Sequence, residues 1–231
     1  YSKAFYKKIK AFAMDQNASY SSVVKEYLPS CVIVCDYFHI IKNYNEQVIE
    51  KVQNRAMRNA RLLGDFDLLR QLKGSKRLLM KRLSEKDWEA KLALQNLMEE
   101  NKELDTCLHM RTLLQNMYDH CDNEQTMKDF WQKWCQMAKE SCIPELMHFA
   151  QIKKRYETEI LNHAKYAISS GVLEGCMNKI KVLKRVAFGF RDWDYFFLRV
   201  WNAFLPSEIK NKYSNQIWQS YDCADELGGI A

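Results

Sequence analysis

The chain has 231 residues, 47% of them apolar, and carries a formal charge of +6 at pH 7 from 35 Lys and Arg against 29 Asp and Glu. That composition excludes a disordered polymer and allows one sizeable core. Gly (7) and Pro (3) are scarce, which favours long helices and short connections over an all-β fold.

Eight cysteines at irregular spacing, with no CxxC pair and no signal peptide, read as reduced thiols in a cytoplasmic protein. Cys135, Cys142 and His148 fit no zinc-ligand spacing, so buried thiols are the better reading. No apolar run approaches the roughly 18 residues needed to cross a membrane. With no amino-terminal Met and no targeting segment, the chain is expected to begin within a longer protein.

Lys10 to Met14 is a short apolar run that predicts a buried strand ending at Asp15. An amphipathic helix is expected to follow, to about Tyr27, and Leu28-Pro29 ends it because proline disfavours a helical residue before it. Cys31 to Cys35 (CVIVC) is apolar and β-branched at its centre, the pattern of a parallel strand covered on both faces. It ends at Asp36-Tyr37-Phe38-His39. Two strands joined by one helix place Asp15 and Asp36 at the same sheet edge, where α/β proteins hold ligands. Each acid also has a plainer reading as the cap of the helix after it, and His39 as an ordinary core or surface histidine.

From Ile40 to Tyr166 the pattern is helix after helix, predominantly core-forming. Gly64-Asp65 and Gly74-Ser75 mark loops. Ser84 with Asp87 resembles a capping box. Leu94, Leu97, Met98, Leu104, Leu108, Leu113 and Met117, with a break between Asn101 and Asp105, predict a helical hairpin. Trp131 and Trp134 make a heavy apolar face, and Pro144 sits in the first turn of the helix after Ser141.

A last helix is predicted from Gly171. Its apolar stripe is Val172, Cys176, Ile180, Leu183 and Ala187. Glu174 falls in the first turn, where the helix dipole favours a carboxylate, and shares a face with Asn178, Lys181 and Arg185. Lys179, Lys181, Lys184, Arg185 and Arg191 follow with no acid among them. This concentration is what makes a modest basic excess point to a polyanion partner. A solvated amphipathic surface helix accounts for the same periodicity.

The closing motif, Ser170-Gly171, Glu174-Gly175, Asn178-Lys179-Ile180-Lys181, Lys184-Arg185 and Phe188-Gly189-Phe190-Arg191, resembles that of the ISL3 group of insertion-sequence DDE transposases. Ala13-Met14-Asp15 with Tyr20, Leu28-Pro29, Asp36-Tyr37-Phe38-His39, and Ser141 with Ile143 to Leu146 and Phe149-Ala150 resemble further motifs of that group. The resemblance runs from about Asp15 to Arg199. Met177 stands where the family usually has Asn.

The resemblance implies an α/β, predominantly helical chain: an amino-terminally truncated ribonuclease-H-like fold with a long helical insertion between the second acid and the final Glu. Residues 1–40 would hold the partial sheet, 41–165 the insertion, 166–205 the closing helices and 206–231 a tail. Asp15 would be the second acid and Glu174 the final one, both holding Mg²⁺ or Mn²⁺, with the first acid upstream. Asp36 and His39 would lie near the site but outside the metal-binding triad. Shared ligation implies that the Asp15 and Glu174 carboxylates approach within roughly 8 Å, since paired catalytic metals lie about 3.5–4 Å apart. Asn178, Lys179, Lys181, Lys184, Arg185 and Arg191 would contact the DNA backbone. The implied activity is metal-dependent DNA strand cleavage and transfer, with DNA as partner and a homo-oligomer assembled on it. The alternative is a catalytically dead DNA-binding remnant.

Overall fold

The computed structural model describes residues 8–16, 18–80 and 87–206. The Ser84 cap and the tail beyond 206 lie outside the described residues. The chain divides into two compact units, Tyr1–Ser170 and Gly171–Ala231.

The first unit opens with strand β1 (Ala11–Met14), helix α1 (Ala18–Tyr27) and strand β2 (Val32–Cys35). The strands pair in parallel, with Met14 opposite Cys35. A parallel pair needs a crossover, and α1 supplies it. In β2, Ile33, Val34 and Cys35 are all buried, as its continuous apolar run predicts. Strand β1 departs from the expectation of a buried strand. Only Met14 is buried there and Phe12 is 41% exposed, because the cover gathered around Met14 is a small cluster of Val24, Leu28 and Ile33.

Helix α2 (Tyr37–Tyr44) runs through a π-helical turn at Asn45–Ile49 into α3 (Glu50–Leu63). Arg111 reaches this turn, donating to Asn45 Oδ1 at 2.9 Å and to the Leu79 carbonyl at 2.6 Å. Gly64 ends α3 in the left-handed region (φ 73°), a conformation that costs glycine little. The Asp65 side chain then caps α4 (Phe66–Gly74), accepting from the Leu68 amide at 3.0 Å. Leu62 is 84% exposed beside this turn.

Helices α5 (Lys76–Met80), α6 (Trp88–Glu100), α7 (Lys102–His120), α8 (Glu124–Glu140), α9 (Pro144–Lys154) and α10 (Glu157–Leu161) follow in the first unit. Asn101 separates α6 from α7, the expected hairpin break. The main core joins Cys35 of β2 to α2, α3 and the later helices through Ile40, Tyr44, Val52, Leu104, Trp134 and Phe149. Each such side chain contributes about 1.5–3 kcal/mol on burial. Trp131 and Trp134 stack at 5.4 Å. Trp134 Nε1 donates to the Met110 carbonyl at 2.8 Å and the Tyr44 hydroxyl to the Cys107 carbonyl at 2.7 Å, whereas Trp131 Nε1 is buried without a hydrogen-bond partner.

The second unit holds α11 (Gly171–Val186) and α12 (Trp193–Phe204). Asp192 caps α12 through the amides of Asp194 and Tyr195 at 2.9 and 3.1 Å. Phe190 and Phe196 pack at 5.0 Å. No helix among the described residues is long and apolar enough to cross a membrane.

Candidate active site and basic helix

The register of β1 and β2 brings Asp15 and Asp36 out at the same carboxyl edge. The two acids then meet opposite fates. Asp15 is exposed, and its Oδ1 accepts the Gln16 amide at 2.7 Å. Asp36 is fully buried. Its Oδ1 accepts from the Ser169 hydroxyl at 2.9 Å and the Ser170 amide at 3.4 Å. Its Oδ2 accepts from the Ser170 hydroxyl and from His39 Nδ1, the latter at 2.7 Å. An ionised carboxylate only accepts, so His39 Nδ1 carries the proton.

Burial alone would raise the Asp36 pKa. The bonds from Ser170, His39 and Ser169 outweigh it and hold the carboxyl below its ordinary value of 3.8. Asp36 occupies the N-cap position of α2 yet makes no side-chain cap bond. The simple capping reading therefore fails for this acid, because Ser169 and Ser170 claim its oxygens.

A lysine joins Asp15 at this edge. Lys153 lies at the end of α9 and is 3% exposed. Its ammonium donates to Gln16 Oε1 and sits 5.2 Å from the centre of the Phe149 ring. Gln16 Nε2 in turn donates to Cys35 Sγ at 3.3 Å. Burial lowers the Lys153 pKa, and the charges of Cys35 and Asp15 oppose that shift. Burial also pushes the Cys35 thiol up to about 11. The sequence held one signal for Lys153. It continues the stripe of Leu146, Phe149 and Ala150 at helical spacing, so a lysine stands where the core expects an apolar residue.

Glu174 lies in the first turn of α11, as a helix beginning at Gly171 predicts. The expected apolar stripe is half-buried at Cys176, Ile180 and Leu183, while Val172 is 83% exposed. Asn178 and Arg191 are exposed. Lys181, Lys184 and Arg185 line one shallow pocket of about 330 Å³ with Phe188 and Gly189. Lys184 also sits over the Trp193 ring at 5.9 Å. Lys179 faces elsewhere: its ammonium lies 4.7 Å from the centre of the Phe204 ring and donates to the Ala203 carbonyl. Three cations of the basic run thus share a pocket, Lys179 and Lys184 each lie over a ring of α12, and Arg191 is exposed.

The oxygen of an exposed aspartate at a strand end suits a hard cation such as Mg²⁺, and so does the carboxylate of Glu174. Asp36 does not suit one, since both its oxygens are taken. Among the described residues no three His, Cys, Asp or Glu side chains gather into a metal-holding group.

A family model for transposases of the ISL3 group of DDE enzymes matches residues 1–200. The transposase of insertion sequence element IS1001 from Bordetella parapertussis is 32% identical over 197 residues, covering 85% of this chain and 48% of the relative. The chain thus spans about half the length of that curated relative. No solved structure matches the chain. The matched span includes both strand-end acids, the helices that follow them and the basic helix, and the chain belongs to the ISL3 family of DDE transposases.

Proposed function

We propose that this chain is catalytic-domain sequence of a DNA transposase, with a ribonuclease-H-like sheet edge at β1 and β2 interrupted by the helical insertion α3 to α10. Asp15 and Glu174 are the acids that hold divalent metal, Mg²⁺ or Mn²⁺. The observation that carries this reading is the contrast at the sheet edge. Asp15 is exposed at its strand end, while Asp36 beside it is saturated by Ser169, Ser170 and His39.

When bound, the metal supplies charge for activating the attacking oxygen and stabilising the leaving one in an in-line displacement at phosphorus. The chain's residues do the rest. Asp15 and Glu174 set where that charge sits. Lys181, Lys184 and Arg185 neutralise backbone phosphates from one face of α11, a sequence-independent contribution that weakens with salt. Lys179 stabilises the α11–α12 pair through Phe204. The partner is DNA, and a homo-oligomer forms on it.

Met177 favours one second reading, a DNA-binding relative without catalysis. It is 46% exposed at the position where the family usually carries Asn, and a thioether cannot donate the hydrogen bonds of an amide.

Two assays separate the readings. Reversing the charge of Lys181 and Arg185 together should weaken duplex binding and lower the slope of log affinity against log salt by about 0.9 for each phosphate no longer neutralised. An unchanged slope removes DNA from this face. Nicking of supercoiled plasmid in Mg²⁺ or Mn²⁺ by the transposase containing these residues should vanish in Asp15→Asn. Binding without nicking supports the second reading.

A further inference from the structure

Asp36 and His39 have no assigned task. Asp36 is anchored by its backbone as well as its side chain. Its amide donates to the Met14 carbonyl at 3.1 Å, and its carbonyl accepts from the Ile40 amide at 3.1 Å. The residue is therefore fixed to β1 and to the first turn of α2 at once. From this rigid point its carboxylate reaches Ser169 and Ser170, 133 and 134 positions downstream.

The segment it holds has little structure of its own. Between the 3₁₀ turn Asn162–Ala164 and α11 the chain forms no helix or strand. Within it the Lys165 and Tyr166 amides donate to the Asn162 carbonyl, and the Ile168 amide to the Tyr166 carbonyl. Gly171, the next residue, begins the helix whose first turn carries Glu174.

We propose that Asp36 is a positioning residue for Glu174: by binding Ser169 and Ser170 it fixes the point from which α11 departs, and His39 fixes Asp36. Two sequence motifs that lie far apart are then one device. The role rests on Glu174 being a metal-binding acid, whereas the clamp itself does not.

Aspartate suits the task better than asparagine. Two carboxylate oxygens accept from four donors here, and an amide has only one acceptor oxygen. Hydrogen bonds to a charged group are also about twice as strong as neutral ones.

The test uses the intact chain and three variants: Ser169→Ala with Ser170→Ala, Asp36→Asn, and Glu174→Gln as a control. The serine pair guards against a misfolded Asp36 variant, since it leaves the buried acid and His39 in place. Two quantities are read: hydrogen exchange across residues 165–176, and Mn²⁺ affinity by electron paramagnetic resonance.

The serine pair should speed exchange across 165–176 by about ten-fold while α7 and α8 keep their rates, and Asp36→Asn should fall between it and the parent. Mn²⁺ affinity should drop in the same order. Unchanged exchange at 165–176 overturns the clamp. Equal acceleration throughout the unit overturns it too, because Asp36 would then only stabilise the fold. Faster local exchange with unaltered Mn²⁺ affinity, in a protein where Glu174→Gln abolishes binding, overturns the positioning role. If Glu174→Gln itself leaves Mn²⁺ affinity unchanged, the metal reading fails and the positioning role falls with it, even where the exchange data uphold the clamp.

Discussion

Gln16 accepts a hydrogen bond from Lys153, 137 positions away, and so ties the end of β1 to the last turn of α9. The ammonium is buried and forms no ion pair within 4.0 Å among the described residues. A buried cation with a neutral partner bears a desolvation cost that the bond offsets only in part.

Lys153→Met keeps the stem and removes the charge. Its stability in urea should equal the parent's or exceed it by about 1 kcal/mol. Lys153→Ala also removes the stem beside Phe149 and should cost about 1–2 kcal/mol. A loss above about 3 kcal/mol in the Met variant would show that the ammonium is a net stabiliser, contrary to the desolvation argument.

Acid sensitivity should centre on His163. Its ring packs edge-on to Tyr118 at 4.9 Å, and its Nδ1 is buried without a hydrogen-bond partner. Burial lowers its pKa below the ordinary 6.5, with the Asp36 charge pulling the other way. On acidification the unfolded chain therefore takes up this proton first. The stabilising contribution is complete above pH 6.5 and is lost as pH falls through the lower folded value. Thermal midpoints should decline on that side of 6.5, and His163→Leu should flatten the decline. An identical pH profile in the variant would assign the effect to another group.

Arg55 should divide its contribution unequally. Its Nε and Nη2 grip Glu145 at 3.0 and 2.8 Å, a two-point contact between α3 and α9, while Nη1 meets Glu103 of α7 at 2.6 Å. The Glu145 side chain is 16% exposed and that of Glu103 is 56% exposed. Solvent screening therefore leaves the Glu103 arm little value. Arg55→Lys should cost about 1 kcal/mol by losing the fork, and Glu103→Gln less than about 0.5 kcal/mol. Equal losses in the two variants would mean that burial does not decide the partition.

Much of the fold was legible because local chemistry agrees with it. The β-branched run before Asp36, Pro29 after α1, Gly64 with Asp65 and Pro144 at a first turn all act within a few residues of themselves. Long-range choices were not legible. Asp36 reads as a helix cap, and only the approach of Ser169 and Ser170 diverts its oxygens. Lys179 reads as one more exposed cation, until Phe204 and Ala203 of α12 engage it. The π turn at Asn45–Ile49 left no local signature, and its bond to Arg111 spans 66 positions. At the candidate site, Asp15 was visible from its strand, whereas Gln16 and Lys153 needed the fold to bring them together.

The most direct measurement of the central claim is a double-mutant cycle on Mn²⁺ binding, comparing the parent with Asp15→Asn, Glu174→Gln and the double variant. Shared ligation predicts that each single change weakens binding by about ten-fold or more, since each removes a charged oxygen ligand from a hard cation. It also predicts that the double variant binds little worse than either single one, because groups acting as a unit are not additive. Parent-like Mn²⁺ affinity in either single variant, or additive losses of two independent sites, would contradict a metal centre built from Asp15 and Glu174.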